Sequence, residues 1–459
     1  DAGTDSFGMA VLDVSTGEMS AQLVPASELR AELGRLEPSE LLLPYSLETS
    51  DQLTWAAGPS IPRTLRADWM FDVDLSTDAL LSFFGVHSLD GFGFQSDDQS
   101  LVRVSGALVQ YLKEIRPAGM SHLKPPRIRR PGQIMLLDEM TRKNLELIEP
   151  LRTGEKGGAL LDVLDVTTTP MGGRLLRRWV LEPLIHIEDI CVRHGAVEEF
   201  VERPDVRRRI RGSLSGITDL ERLAGKVGTG RVTPRDLAGL GRSLEQLPEI
   251  QAAGIEAKDS MIRECAVDKD CLEDVSALLK RAISDDPPAT LQEGGVVKKG
   301  WSEDLDELRA VRDGARDFIA SLQVRERERT GVASLKVGFN KVFGYYLEVT
   351  RANLGKVPVD YVRKQTLANA ERYFTPELKE WEEKVFGAED RISHLEAELF
   401  SDIRGRIAKE IGRLQDTAAR VATLDVLVSF AEVATSQNYV RPEIHSGFEL
   451  ELVASRHPV

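Results

Sequence analysis

Long apolar runs are missing from this sequence. None approaches the ~20 residues that cross a bilayer, so no membrane helix is expected. The N-terminal stretch also lacks the charged-then-apolar pattern of a secretory leader. Cysteine is scarce: Cys191, Cys265 and Cys271 are the three among 459 residues, too few and too irregular for a disulfide framework. The last two have no histidine near them to complete a zinc pattern, so free thiols in a reducing compartment are expected. No Gly-x-x-x-x-Gly-Lys-Ser/Thr loop occurs anywhere, which removes the usual backbone cradle for nucleotide phosphates. Neither a cofactor site nor a metal site is expected in this chain.

Positive charge is in deficit as well. The net charge is −15, so the surface as a whole does not attract nucleic acid. Affinity for a phosphate backbone follows the local placement of lysine and arginine, however, not the total. An acidic chain can still bind DNA if its background has a basic hole.

What is present reads as a globular protein of two to four domains, because the chain is too long for one core. Hydrophobic residues make up 42% and charged residues 29%, ordinary for a folded chain in water. The chain opens at Asp1 close to strand-like sequence and stops in mid-phrase at Ser455-Arg456-His457-Pro458-Val459. Both ends are expected to be cuts in a longer protein.

The first ~120 residues alternate short apolar runs with helical periods, which predicts an α/β unit. Residues 7–14 and 19–24 are expected strands joined by a turn that needs Gly17 at positive φ. Leu29, Leu33 and Leu36 share one helix face, and 40–44 is a short buried strand. Around 117–132 the composition turns to proline and basic residues, including Lys124-Pro-Pro-Arg-Ile-Arg-Arg-Pro131, which reads as a boundary. A solvated linker is the simpler account of that run, a DNA contact the sharper one.

From Asp138 to about Leu322 nearly everything has helical spacing. Leu305, Leu308, Val311, Ala315, Phe318 and Leu322 make one stripe, with Ser302 placed as N-cap. Strand-like texture follows over 335–339 and 343–350, rich in Val, Tyr and Phe and punctuated by Gly338, Gly344 and Gly355. Helix resumes at Thr375-Pro376, cap then proline, with apolar residues from Leu378 through Trp381, Val385, Ile392 and Ile403 to Val421. If continuous to Val433, that helix is roughly 80 Å long, with Gly387, Gly405 and Gly412 as places to bend. A β-rich insert bracketed by two long helices is the tip of an arm.

That tip is the basic hole. Between Leu335 and Arg372 lie seven cations (Lys336, Lys341, Arg351, Lys356, Arg363, Lys364, Arg372) and three anions (Glu348, Asp360, Glu371), a net of +4. Lys336, Asn340, Lys341, Arg363, Lys364, Gln365, Thr366, Asn369 and Arg372 are the candidate DNA-binding residues. Such side chains match phosphate oxygens and sugars, contacts that position a protein on a duplex without reading its sequence. A solvated hairpin face is the competing account, and Tyr345 and Tyr346 read as strand packing before base stacking.

The phrases in and around the tip resemble the bacterial MutS family of DNA mismatch-repair proteins. They are Val324-Arg-Glu-Arg-Glu-Arg-Thr-Gly331, Leu335 through Tyr345-Tyr346 to Leu354, and Tyr361-Val-Arg-Lys-Gln-Thr-Leu-Ala-Asn369. Upstream, Thr167-Thr-Thr-Pro-Met-Gly-Gly-Arg174, Asp219-Leu-Glu-Arg222 and Gly230-Arg-Val-Thr-Pro-Arg-Asp236 are similar to core phrases of that family.

The resemblance implies a mixed fold. An RNase H-like α/β connector over 1–121 precedes a mainly α-helical core and first lever helices over 122–323. A β-rich clamp follows over 324–374, the returning lever and core over 375–445, and the start of an absent ATPase domain over 446–459. It also implies a central fragment of a mismatch-recognition ATPase, not itself an enzyme, whose clamp holds double-stranded DNA and whose levers transmit ATP-driven change. ATP and Mg, a homodimer and the partner MutL belong to the parent, and the location is cytoplasmic, at the nucleoid. The family commonly carries lysine where Ala368 stands here, so one phosphate contact is expected to be missing or moved to Lys364. The family's Phe-x-Glu mismatch wedge lies in an absent domain; Phe200-Val-Glu202 and Phe430-Ala-Glu432 match its spacing but sit in core patterns.

Three rivals remain at this point. A metal-dependent nuclease would use Asp13, with Glu40 or Asp72 as partners. A helical scaffold would bind proteins without DNA. A relative acting on recombination junctions would share most of these phrases.

Overall fold

The computed structural model describes residues 6–50, 61–115, 120–130, 132, 134–135, 137–151, 158–267, 270–340, 342 and 344–459. They form two compact units. The first comprises Asp1–Val232, Gly239–Ser276 and Arg406–Val459, the second Thr233–Ala238 and Ala277–Gly405.

In the first unit, β1 (Ser6–Leu12) pairs antiparallel with β2 (Met19–Pro25), and Leu12 faces Met19 across the ladder. The turn between them closes because the Asp13 N–H donates to Glu18 O at 2.9 Å and the Gly17 N–H to Asp13 O at 2.8 Å. Gly17 has φ +76°, and a Cβ there would lie 2.1 Å from the His122 carbonyl oxygen, so both backbone and space demand glycine. A parallel pair, β3 (Leu41–Pro44) and β4 (Arg63–Arg66), forms a separate small sheet. The helices Val73–Phe84 and Gln99–Ile115 pack onto β1 and β2 through Leu80, Leu101, Val102 and Val109 against Met19 and Ala21.

The basic run after the helix Gln99–Ile115 is anchored, not loose. Its β5 (Arg127–Ile128) adds a parallel strand beside β2. Lys124 pairs with Glu18 at 3.8 Å, Arg129 with Glu182 at 2.8 Å and Arg130 with Asp98 at 2.6 Å. Cations paired in this way tie the run to the rest of its unit and leave little charge for DNA.

The helical remainder of this unit gathers round Ile411–Gln437, which is buried on every side from Leu424 to Ser429. One polar device holds it. The buried Asp425 carboxylate accepts from the Thr168 and Thr169 N–H groups at 2.9 and 2.7 Å and from both hydroxyls at 3.1 and 2.6 Å. Thr169 is the N-cap of the helix Pro170–Leu181, with proline in its first turn. Gly172 is required there, since a Cβ would lie 2.2 Å from Asp425 Oδ2. One turn on, Ser429 Oγ accepts from the Val166 N–H at 3.0 Å and donates to Leu164 O at 2.8 Å.

In the second unit, the helix Glu303–Thr330 starts at the Ser302 cap and ends at Gly331, φ +64°. It therefore runs eight residues past Leu322, and the first strand begins at Lys336. Its antiparallel partner, Pro376–Ala408, is expected to be about 50 Å long at 1.5 Å per residue. Ala315, Ile319 and Leu322 pack with Leu378 and Val385, and Phe318 stacks on Trp381 with centroids 4.2 Å apart. Arg309–Glu396, Arg316–Glu389 and Arg325–Glu377 ion pairs run along the seam.

The single returning helix expected from Thr375 to Val433 is two helices. The ladder breaks at Lys409–Glu410, where Lys409 N–H turns back to Arg406 O and Glu410 N–H to Ile407 O. Helix resumes at Ile411. Gly405 and Gly412 flank the break, but neither occupies it.

Candidate nucleic-acid interface

Four antiparallel strands fill the tip in the order β6-β7-β9-β8: Lys336–Asn340, Gly344–Thr350, Ala370–Phe374 and Val362–Thr366. Alternation gives the sheet two unlike faces. Leu335, Leu347, Val349 and Tyr373 turn to the arm helices and are buried with Leu322 and Leu378. Tyr361 joins them: its hydroxyl donates to Glu326 Oε2 at 2.9 Å, and burial with that carboxylate raises its pKa above the usual phenol value. Burial and the Glu371 carboxylate likewise push Tyr373 up to about 12. These phenols are fixed donors at neutral pH: Tyr361 bolts the sheet to the helix Glu303–Thr330, whereas Tyr373 donates to Glu371 on its own strand.

The opposite face carries the polar set. Lys336, Glu348, Arg372 and Gln365 are consecutive cross-strand partners and so form one row across all four strands. Arg372 is the row's organiser. Its Nε donates to Glu348 at 3.0 Å and its Nη1 to Gln365 Oε1 at 3.0 Å. Its guanidinium also lies 4.1 Å from the Tyr346 ring centre. Tyr346 in turn lies across Gly338, where a Cβ would come within 2.7 Å of the ring. Only glycine lets the aromatic lie flat at that position.

The expected site residues thus divide. Lys336 is exposed at one end of the row, and Asn340 ends the same strand, with its Oδ1 accepting from the Val342 N–H at 2.8 Å. Lys341 lies outside the described residues. Lys364 is the extra residue of a β-bulge between Arg363 and Gln365, and its Nζ sits 5.5 Å from the Phe374 ring centre. Thr366 and Asn369 are exposed beside the β8–β9 turn, which closes by Leu367 N–H to Ala370 O at 2.8 Å. Arg363 is not brought together with Arg372: it pairs across the ladder with Tyr373 and reaches Glu371 at 3.6 Å on the arm-facing side. Tyr346 and Phe374 carry the cationic side chains of this face, a role the sequence reading missed for both. Gly338, the gap that admits Tyr346, was the available signal.

The nuclease candidates are committed elsewhere, each to its own motif. Asp13 Oδ1 accepts from the Ser15 N–H and hydroxyl, both at 2.7 Å; burial opposes ionisation there, yet these bonds hold the carboxyl below its usual value. Glu40 accepts from Tyr111 at 2.6 Å and from Thr64. Asp72 caps the helix Val73–Phe84. Among the described residues no group of three or more His, Cys, Asp or Glu side chains is placed to hold a metal ion. Both wedge-spaced phrases are packing: Phe200 is fully buried, Phe430 faces Trp179 at 6.3 Å and Glu432 pairs with Arg207 at 2.9 Å.

Comparison with known proteins matches residues 140–431 to the family model described as MutS domain III and residues 1–124 to that of MutS domain II. The chain is 45% identical, over 99% of its length, to 52% of the DNA mismatch repair protein MutS of Symbiobacterium thermophilum. It is 40% identical, over 98% of its length, to 52% of the protein of that name from Chlorobaculum tepidum. A 43% identity over 98% relates it to 52% of the one from Solibacter usitatus. The chain spans about half the length of the curated relatives it matches.

Proposed function

The chain belongs to the MutS family, and from that premise we propose that it is the connector, core and clamp portion of a mismatch-repair protein. In this reading 1–121 is the connector, 122–323 the core and first lever, 324–374 the clamp, 375–445 the returning lever and core, and 446–459 the approach to an ATPase domain. The clamp grips duplex DNA by its sugar-phosphate backbone. The observation that supports this is the one-sided polar row of the tip sheet, with Lys336 at its edge and Lys364 raised on a bulge beside it. Two separated ammonium groups on a rigid sheet suit phosphate contact and carry no base-reading pattern; exposed Thr366, opposite Glu371 on the other face, and Asn369 lie at the β8–β9 end of the sheet. Arg372 acts as a positioning residue, since Glu348, Gln365 and Tyr346 already occupy it. Arg363 approaches DNA only from the sheet's other side or edge.

ATP and Mg belong to the remaining length of the parent, because no phosphate-cradling Gly-Lys-Ser/Thr loop occurs in this chain. When bound there, ATP supplies the free energy that shifts lever positions. This chain contributes stiffness: a seam of apolar contacts and ion pairs between Glu303–Thr330 and Pro376–Ala408 turns rotation at one end into displacement at the tip. A homodimer, contact with MutL, and a cytoplasmic, nucleoid-associated location are parts of the same proposal. No helix among the described residues is long and apolar enough to cross a membrane.

The test is fluorescence anisotropy with labelled paired and G·T-containing duplexes. The chain is expected to bind both equally and weakly, with affinity falling about tenfold in the double variant Lys336→Gln, Lys364→Gln. Preference for G·T, or undiminished binding by the variant, contradicts the assignment.

A further inference from the structure

The break at Lys409–Glu410 has a fastening of its own. The helix that resumes there, Ile411–Gln437, starts without a side-chain cap, and Gly412 in its first turn adds backbone freedom. Glu410, the N-cap residue, does not cap: its carboxylate accepts from Arg413 Nη1 at 2.8 Å. The Arg413 guanidinium is also forked on Asp274, with Nη1 and Nη2 donating to the two carboxylate oxygens at 3.0 and 2.9 Å. Its Nε donates to Asp270 Oδ2 at 2.6 Å. Three acids from two distant stretches of chain thus meet on one side chain.

Asp270 is held in turn. Its Oδ1 accepts from the Leu272 N–H at 2.8 Å, and its carbonyl accepts from Arg420 Nη2 at 3.0 Å. Leu272 is fully buried with φ +53°, a backbone state that leucine rarely adopts and that its surroundings must enforce. Arg420 follows Arg413 by seven residues and so shares its helix face. The inner grip at Arg420 is half-buried. The outer one is not: the Asp270 and Asp274 side chains are 51% and 64% exposed.

Exposed ion pairs are individually weak and are screened by salt. Gathered on one guanidinium at an uncapped helix start, they tie its first turn to Asp270 and Asp274 by links that salt can loosen. We propose that Lys409–Glu410 is a hinge and Arg413 its salt-sensitive latch. With the carboxylates engaged, the first turn of Ile411–Gln437 is held. With them screened, that turn opens and the chain bends between Ala408 and Ile411. The use of such a hinge rests on the lever reading, because the returning lever continues across this break.

Native-state hydrogen exchange on the whole chain, without DNA or nucleotide, tests the latch at 50 and 500 mM sodium chloride. The Leu414 amide, bonded to Glu410 O at 3.0 Å, and the Ser276 amide, bonded to Leu272 O at 2.9 Å, report its two sides. High salt is expected to quicken exchange at both by about fivefold and to leave the amides from Leu424 to Ser429 unchanged. Arg413→Gln is expected to show the faster exchange already at 50 mM and no further response to salt. Arg413→Lys is expected to fall between, since lysine keeps the charge without the fork. Duplex affinity is expected to be the same for Arg413→Gln as for the parent chain, so failure of the latch and failure of the clamp are told apart. The inference is overturned if salt leaves Leu414 exchange unchanged in the parent chain, or if Arg413→Gln matches the parent at 50 mM. Acceleration spread evenly to Leu424–Ser429 overturns it too, because that marks general loss of stability and no hinge.

Discussion

Replacing Asp425 by alanine strands the four donors that its carboxylate now satisfies: the N–H and hydroxyl groups of Thr168 and Thr169. The hydroxyls can rotate to other acceptors, but the two amides are fixed by the start of the helix Pro170–Leu181. Each buried donor left without a partner costs about 1–3 kcal/mol, so the substitution is expected to cost about 3–5 kcal/mol. Against a typical stability of about 5–15 kcal/mol, that is a large fraction. Asp425→Asn keeps the volume and one acceptor oxygen while turning an NH2 group toward the second amide, and is expected to lose roughly half as much. Urea unfolding monitored by tryptophan fluorescence gives the global figure. Native-state hydrogen exchange at Thr168 and Thr169 gives the local one, and both amides should lose protection first. A loss below about 1 kcal/mol for the alanine variant, with those amides still protected, refutes the reasoning.

Two further expectations concern the same unit. A Cβ at Gly225 would lie 2.1 Å from the Ser15 carbonyl oxygen, where the β1–β2 turn meets the helix Leu220–Gly228. Gly225→Ala is therefore expected to cost about 1–3 kcal/mol through overpacking and to quicken proteolysis near residues 13–18, whereas Gly239→Ala, with nothing within 4 Å, is expected to be harmless. The Arg130 guanidinium beside Asp98 holds that carboxyl below the ordinary value. Because the folded pKa lies beneath the unfolded one, about 3.9, this stabilisation is complete above that pH and fades as pH falls through the folded value. Arg130→Gln is thus expected to lower the urea midpoint more at pH 6 than at pH 3, and an equal drop at both contradicts the pairing.

The arm and its tip were legible because each long helix shows one apolar stripe, and because the strands between them carry aromatic and β-branched residues punctuated by glycine. Less legible was the break at Lys409–Glu410. Glycines pointed to bending on either side of it, whereas the physical change there is from a one-sided helix to one buried all round from Leu424 to Ser429. The division of the basic residues between two faces was hidden by the bulge at Lys364, which shifts the alternation midway along β8. Strict alternation would put Arg363 and Gln365 on one face and Lys364 on the other, whereas the bulge leaves Arg363 opposite Tyr373 and Gln365 opposite Arg372. Asp425 was invisible for a different reason. A lone aspartate in an apolar helix signals a partner, but its partners lie 256 and 257 positions away, and periodicity holds no information at that range.

Most direct for the clamp is the salt dependence of duplex binding. Log K plotted against log salt for the chain and for Lys336→Gln, Lys364→Gln should give two straight lines. The variant's slope is expected to be shallower by about 2, one unit for each lysine–phosphate pairing removed. Parallel lines would mean that neither lysine touches a phosphate, and the sheet's polar face would then need another purpose.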